Sequence, residues 1–215
     1  MFKKKIKTFK QISGEISVAD NESNLIFFVR LFGNIEYFIF FGTLLGITRE
    51  KKLIDGDDDI DFYVNLSDRE KLIYKLKQEN VEVDLELSVN KNKYFLQVKR
   101  NINNKILIAD FYFYETGIEK NHIIERWNFE GGTHIESKYL RIPNVFVYPL
   151  KTVKFNSEDV VLPKENELLC EFLYGRGWKR KLKKDTEYTI KVINGRPCLY
   201  LIKKFLFFKR LILVI

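Results

Sequence analysis

The fold is decided by two runs of sequence: Phe-Gly-Thr-Leu-Leu-Gly-Ile-Thr-Arg at residues 41–49 and Asp-Asp-Asp-Ile-Asp-Phe at residues 57–62. The second run contains four aspartates in five positions. Like charges this close repel one another, and some become protonated unless a cation neutralises them. A solvated loop is the alternative for an acidic run. A divalent metal held by oxygen ligands and bridging to a phosphate explains the crowding better.

Residues 59–64 are rich in β-branched and aromatic side chains, which predicts a strand. Side chains alternate along a strand, so Asp59 and Asp61 are expected on one face. Asp57 shares that face if the chain is already extended there, and Asp58 is expected to point away. The other face is apolar and is expected to pack on the core.

The first run predicts a strand at 35–41, a tight turn and a short helix at 43–50. Gly42 lets the backbone approach a ligand closely, and Thr43 is expected to cap the helix or donate its hydroxyl. A helix start offers free N–H groups to a phosphate. Arg49, near the other end of the helix, is expected to be a second phosphate ligand.

Together these residues resemble the signature of the LicD family, which includes bacterial phosphocholine transferases and is related to fukutin and fukutin-related protein. The family belongs to the nucleotidyltransferase-fold superfamily. A second block, from Tyr148-Pro149-Leu150 to Tyr174-Gly175 and Trp178, is similar to the family's C-terminal region. One departure is that Asp55-Gly56 stands where the family often has Pro-Trp, so an aromatic wall is missing.

The resemblance implies an α+β, nucleotidyltransferase-like fold, with a mixed sheet flanked by helices and a small C-terminal helical and β appendage. It implies transfer of a phospho-alcohol from a CDP-activated donor, CDP-choline or similar, to a sugar hydroxyl of a surface glycan or its lipid-linked precursor, with release of CMP. Mg²⁺ or Mn²⁺ is the implied cofactor. The implied catalytic residues are Asp59, Asp61 and Asp110; the donor-binding residues are Gly42, Thr43, Arg49 and Asp57; the metal ligands are Asp57, Asp59 and Asp61.

Asp110 lies inside the apolar run at residues 105–114, which predicts a strand. A carboxylate there is costly unless it is paired or bound to a metal. The residue types leave open a structural role, in which Asp110 accepts hydrogen bonds from a neighbouring loop. The resemblance makes it the third catalytic carboxylate, either as the base for the acceptor hydroxyl or as a metal ligand.

Two other functions remain open at this point. One is an ordinary nucleotidyltransferase that attacks the α-phosphate of a nucleoside triphosphate and releases pyrophosphate. The other is a non-catalytic relative that binds a glycan or a nucleotide. Retention of Asp59, Asp61 and Asp110 argues against the second.

The chain of 215 residues, 46% of them hydrophobic, predicts a single core. We expect a basic N-terminal segment at 1–19, a catalytic domain at 20–185 and a tail at 186–215. Two cysteines do not make a disulfide framework, and no apolar segment follows the basic start, so a cytoplasmic location is expected. The net charge of +8 comes without an aromatic-interleaved nucleic-acid motif, so no nucleic-acid partner is expected.

The last residues, 199–215, are apolar and basic. They are fewer than the about 20 residues that a membrane-spanning helix needs. The pattern predicts a helix lying on an anionic membrane surface. A helix docked on the body and a dimer contact are the alternatives.

His122 and His134 are expected to be packing or surface residues, because neither has the spacing of a metal ligand. Trp127 and Trp178 are expected to be core residues or sugar platforms, and the core is preferred for Trp127. Ser67 and Glu70 predict a capping box. The predicted elements are helices at 20–34 and 68–80 and strands at 81–89 and 94–99.

Overall fold

The computed structural model describes residues 16–79, 81–83, 93–115, 121–125, 140–182, 188–193 and 196–201. The predictions for His134 and Trp127 lie outside these residues. So do those for most of the N-terminal segment and for the tail beyond Leu201.

A mixed five-stranded sheet forms the centre of the described chain, with strand order β1-β2-β5-β4-β3. Strands β2 and β5 run parallel, whereas the other three neighbouring pairs are antiparallel. The strands are β1 (Tyr37–Ile39), β2 (Asp59–Asn65), β3 (Glu82–Val83), β4 (Phe95–Ile102) and β5 (Lys105–Tyr114). The predicted mixed sheet and the predicted strand at 105–114 are therefore confirmed.

Helix α1 (Val18–Phe32) covers one face of the sheet. It begins two residues before the predicted start, because Ser17 and Asp20 form a reciprocal capping box. Phe28 and Phe32 of α1 pack edge-on against Phe62 of β2, with centroids 6.0 and 5.0 Å apart. These aromatic contacts bury the apolar face of β2. Because side chains alternate along a strand, the acidic side chains of β2 point to the opposite face of the sheet.

Two helices connect the strands. Helix α2 (Phe41–Glu50) joins β1 to β2, and α3 (Arg69–Gln78) follows β2. The capping box predicted at Ser67 is wrong. Residues 66–68 form a 3₁₀ turn in which the Asn65 side chain accepts the Ser67 N–H, so α3 begins only afterwards.

In the described residues from 121 onwards there are three two-stranded ribbons and two helices. Strand β9 (Glu158–Leu162) lies against β1, and helix α5 (Asn166–Tyr174) packs against α2. No helix of the described residues is both long and apolar enough to cross a membrane. The elements are β6 (His122–Glu125), β7 (Leu140–Pro143), α4 (Asn144–Val147), β8 (Lys151–Phe155), β9 (Glu158–Leu162), α5 (Asn166–Tyr174), β10 (Tyr188–Ile193) and β11 (Arg196–Leu201).

Candidate active site

Three polar side chains form a row across the middle of the sheet. Asp61 of β2 pairs in register with Asp110 of β5, and Asp110 pairs with Gln97 of β4. Paired positions present their side chains on the same face. The three residues are 5, 6 and 8% exposed. The register therefore brings together two aspartates that are 49 positions apart in the sequence.

The first turn of α2, which contains Gly42 and Thr43, holds Asp61 in place. The tight turn predicted between a strand at 35–41 and a helix at 43–50 is wrong, because α2 already begins at Phe41. The Gly42 N–H donates to Asp61 Oδ2 at 3.0 Å, and the Asp61 N–H donates to Thr43 Oγ1 at 2.8 Å. The Tyr112 hydroxyl donates to Asp61 Oδ1 at 3.4 Å. The expected capping role of Thr43 is wrong, because the N-cap of α2 is Phe40 and no side chain caps the helix. Thr43 instead ties the first turn of α2 to β2.

Gly42 also touches a second carboxylate. A Cβ placed on Gly42 would lie 2.7 Å from Asp57 Oδ2 and 3.4 Å from Asp61 Oδ2. Both carboxylates therefore lie against the same Cα atom, at the start of α2. This close approach explains why the position needs a glycine: any side chain there would fill the space between the two acids.

We expect Gly42→Ala to lower turnover about 30-fold or more, because a carboxylate misplaced by about 1 Å can cost on the order of 100-fold in rate. The atom in the way is the end of a flexible side chain, so the protein should still fold. Steady-state kinetics and thermal melting measure the two effects. The matched control is Gly177→Ala, where a Cβ meets nothing within 4 Å. Equal activity of the two variants would contradict the close-approach argument.

Asp57, Asp58 and Asp59 offer a group of carboxylate oxygens within 4.8 Å of one another. The prediction that Asp58 points away is wrong, because β2 begins at Asp59 and strand alternation does not extend to the residues before it. The Asp57 N–H donates to the Ile54 carbonyl, and the Asp57 carbonyl accepts from Asn21 Nδ2 at 2.7 Å. An all-oxygen donor set of this kind suits a hard divalent cation.

Arg49 lies in the last turn of α2, as predicted, seven residues and roughly 10 Å along the axis from Gly42. Its Nε and Nη2 donate to Glu50 Oε1 at 2.9 and 2.6 Å. Glu50 Oε2 lies 2.7 Å from Lys181 Nζ. The hydrogen bond from Lys181 is the main reason that the pKa of Glu50 lies below its ordinary value. The sequence did not single out Glu50, because an acid beside an arginine is common on helix surfaces.

Cys170 is not a candidate nucleophile. It is fully buried on α5. Burial raises the pKa of its thiol to about 12, so the thiolate is scarce at neutral pH. The neighbouring Asn166 Nδ2 donates to Thr48 Oγ1 at 2.9 Å and ties α5 to α2.

Three comparisons with known proteins were made. The family model described as "LicD/FKTN/FKRP, nucleotidyltransferase domain" matches residues 34–165. No curated protein matches the chain. A solved structure of the lincosamide antibiotic adenylyltransferase LnuA, lincomycin-bound, aligns with 15% identity and a TM-score of 0.48, over 72% of this chain and 85% of that one. The family match includes the Gly-Thr turn, the aspartate run and Asp110, and the chain belongs to the LicD/FKTN/FKRP family of nucleotidyltransferase-domain proteins.

Proposed function

We propose that the protein is a metal-dependent phosphotransferase that moves a phospho-alcohol, phosphocholine or a close analogue, from a CDP-activated donor to a sugar hydroxyl of a bacterial surface glycan. Family membership supports a transferase. The observation that carries the proposal is the pairing of Asp61 with Asp110 beside the helix start at Gly42. Two buried acids at a helix start suit a reaction in which phosphates must be bound and charge must be neutralised.

Asp57, Asp59 and Asp61 would hold the Mg²⁺ or Mn²⁺, and their oxygen-only donor set fits such an ion. The bound ion would neutralise charge on the donor diphosphate. Asp58 joins the candidate ligands, because its carboxylate reaches the same group. The sequence pattern alone predicted that Asp58 points away from the other carboxylates.

The chain's own residues would position the reactants. Arg49 and the first turn of α2, with Gly42 and Thr43, would bind the donor phosphates. Asp110 would take the proton of the acceptor hydroxyl. At the same time the oxygen of that hydroxyl would bond to the phosphorus that carries the alcohol. The bond from that phosphorus to the bridging oxygen breaks, and CMP leaves with the electron pair. Positioning and electrostatics would supply most of the rate, as in other phosphoryl transfers.

Product analysis tests the proposal directly. The protein is incubated with Mg²⁺, a panel of CDP-alcohols (choline, ribitol and glycerol) or nucleoside triphosphates, and glycan acceptors. CMP formed together with a phospho-alcohol on the acceptor supports the proposal. Pyrophosphate from a nucleoside triphosphate would instead identify an ordinary nucleotidyltransferase. Ligand binding without any product would identify a non-catalytic relative.

Arg49 gives a test of donor binding. We expect Arg49→Lys to weaken binding of the CDP-alcohol about 10-fold, because lysine cannot reproduce a bidentate fork toward phosphate. Titration calorimetry measures the affinity. The matched control is Arg30→Lys on α1, since Arg30 also bonds one glutamate oxygen, that of Glu158, through Nε and Nη2. Unchanged affinity and rate in Arg49→Lys would show that Arg49 serves the Glu50 contact alone.

We also propose that the apolar and basic tail brings the enzyme to the inner face of the membrane, where a lipid-linked acceptor would be available. Residues 203–210 carry four cations, which favour an anionic surface. We expect the protein to co-sediment with phosphatidylglycerol vesicles, and we expect salt to weaken the binding.

Truncation after Leu201, which preserves β11, should abolish this binding. Phosphatidylcholine vesicles are the control. Full-length protein that stays in the supernatant at low salt would contradict the membrane proposal and favour a docked helix or a dimer contact.

A further inference from the structure

We propose that Gln97 is a positioning residue for Asp110, an inference that rests on the role proposed above for that carboxylate. Gln97 lies on β4, directly opposite Asp110 of β5. Its Nε2 donates to Asp110 Oδ1 at 2.7 Å. Both side chains are more than nine-tenths buried. A short hydrogen bond between two buried groups on paired strands fixes the plane in which the carboxylate lies.

The chemistry of the donor matters. A lysine or arginine at position 97 would orient Asp110 and also neutralise it. The amide of Gln97 is a neutral donor, so this bond orients the carboxylate without supplying a positive charge. The arrangement suits a carboxylate that must act on a proton or a cation, because the bond from Gln97 does not itself offset the negative charge.

The surroundings of Gln97 make the polar residue conspicuous. Its neighbours on β4, namely Phe95, Leu96 and Val98, are all buried apolar residues. A glutamine in such a strand costs free energy unless its amide is hydrogen-bonded. Asp110 provides that bond, and its own neighbours Ala109 and Phe111 are fully buried as well. Along β4 and β5 the two polar residues therefore occur as a pair among buried apolar neighbours, and Asp61 of β2 lies beside them.

A double-mutant cycle separates positioning from mere packing. We expect Gln97→Met, which keeps the length and removes the donor, to lower kcat about 10-fold or more while the donor KM changes less than about 2-fold. In an Asp110→Asn background the same change should alter kcat less than about 2-fold, because Gln97 acts through Asp110. Gln78→Met, the same substitution at the exposed end of α3, is the control and should leave kcat and the donor KM unchanged. Equal losses from Gln97→Met in both backgrounds would overturn the proposal.

A crystallographic measurement tests the same inference without any substrate. We expect the Asp110 carboxylate to rotate away from its wild-type orientation in Gln97→Met. Gln97→Leu, which is of similar size and has no polar atom that could donate in any protonation state, is the second variant and should displace Asp110 as well. A carboxylate that stays within about 0.5 Å of its wild-type position in both variants would overturn the proposal. A wild-type protein that is inactive with all CDP-alcohols would refute the proposed function and leave this structural test intact.

Discussion

Replacing Asp61 by asparagine is expected to lower turnover by roughly 1,000-fold while the fold is kept. The asparagine oxygen can still accept the Gly42 N–H, so the contact between α2 and β2 survives. The charge that would hold a divalent cation is lost. A bound metal ion stabilises the charge of the transition state by several kcal/mol, so its loss corresponds to a decrease of roughly 1,000-fold in rate. Asp59→Asn, on the same strand face, should behave alike.

Two measurements check this expectation. Kinetics at saturating Mg²⁺ give the loss of rate, and Mn²⁺ titration followed by electron paramagnetic resonance gives the loss of metal affinity. The melting temperature without metal should be unchanged or higher, because repulsion among the aspartates is relieved. Asp159→Asn on β9 is the control, since that side chain is exposed and paired with Lys154. Near-normal activity of either site variant would refute the metal assignment.

Asp110→Asn is expected to keep the fold and lose about 1,000-fold in kcat. The change preserves shape and still offers Gln97 Nε2 an acceptor oxygen, so the strand pairing is not disturbed. It removes the charge and the basicity, and general-base catalysis is typically worth about 100- to 10,000-fold. Stopped assays of CMP release measure the rate, and circular dichroism reports the fold.

The alternative for Asp110 makes a different prediction. If the carboxylate only satisfies buried donors, its replacement should lower the melting temperature and leave the rate of the folded fraction unchanged. An active but destabilised Asp110→Asn protein would therefore favour the structural role. Comparison with Asp110→Ala strengthens the test, because alanine leaves the Gln97 amide without this acceptor and should destabilise the protein under either role.

Local sequence patterns predicted much of this fold. The apolar run at 105–114 has the length and composition of a buried strand, and the structure places β5 there. The alternation at 59–64 predicted β2 and the shared face of Asp59 and Asp61. Predictions at the ends of elements were weaker. The expected capping box at Ser67 failed because Asn65 competes for the same backbone N–H, and local patterns do not rank such competitors.

The sequence by itself determined the identity of the acidic residues and the family, because the family signature consists of residue types at fixed short spacings. The resemblance to that family in turn implied the mixed α+β architecture. The tertiary structure alone decided which of these residues meet. Asp61, Asp110 and Gln97 are neighbours only through the register of three strands, and Gly42 contacts Asp57 only because α2 docks on β2. Strand register is set by packing between distant segments, so no local pattern specifies it.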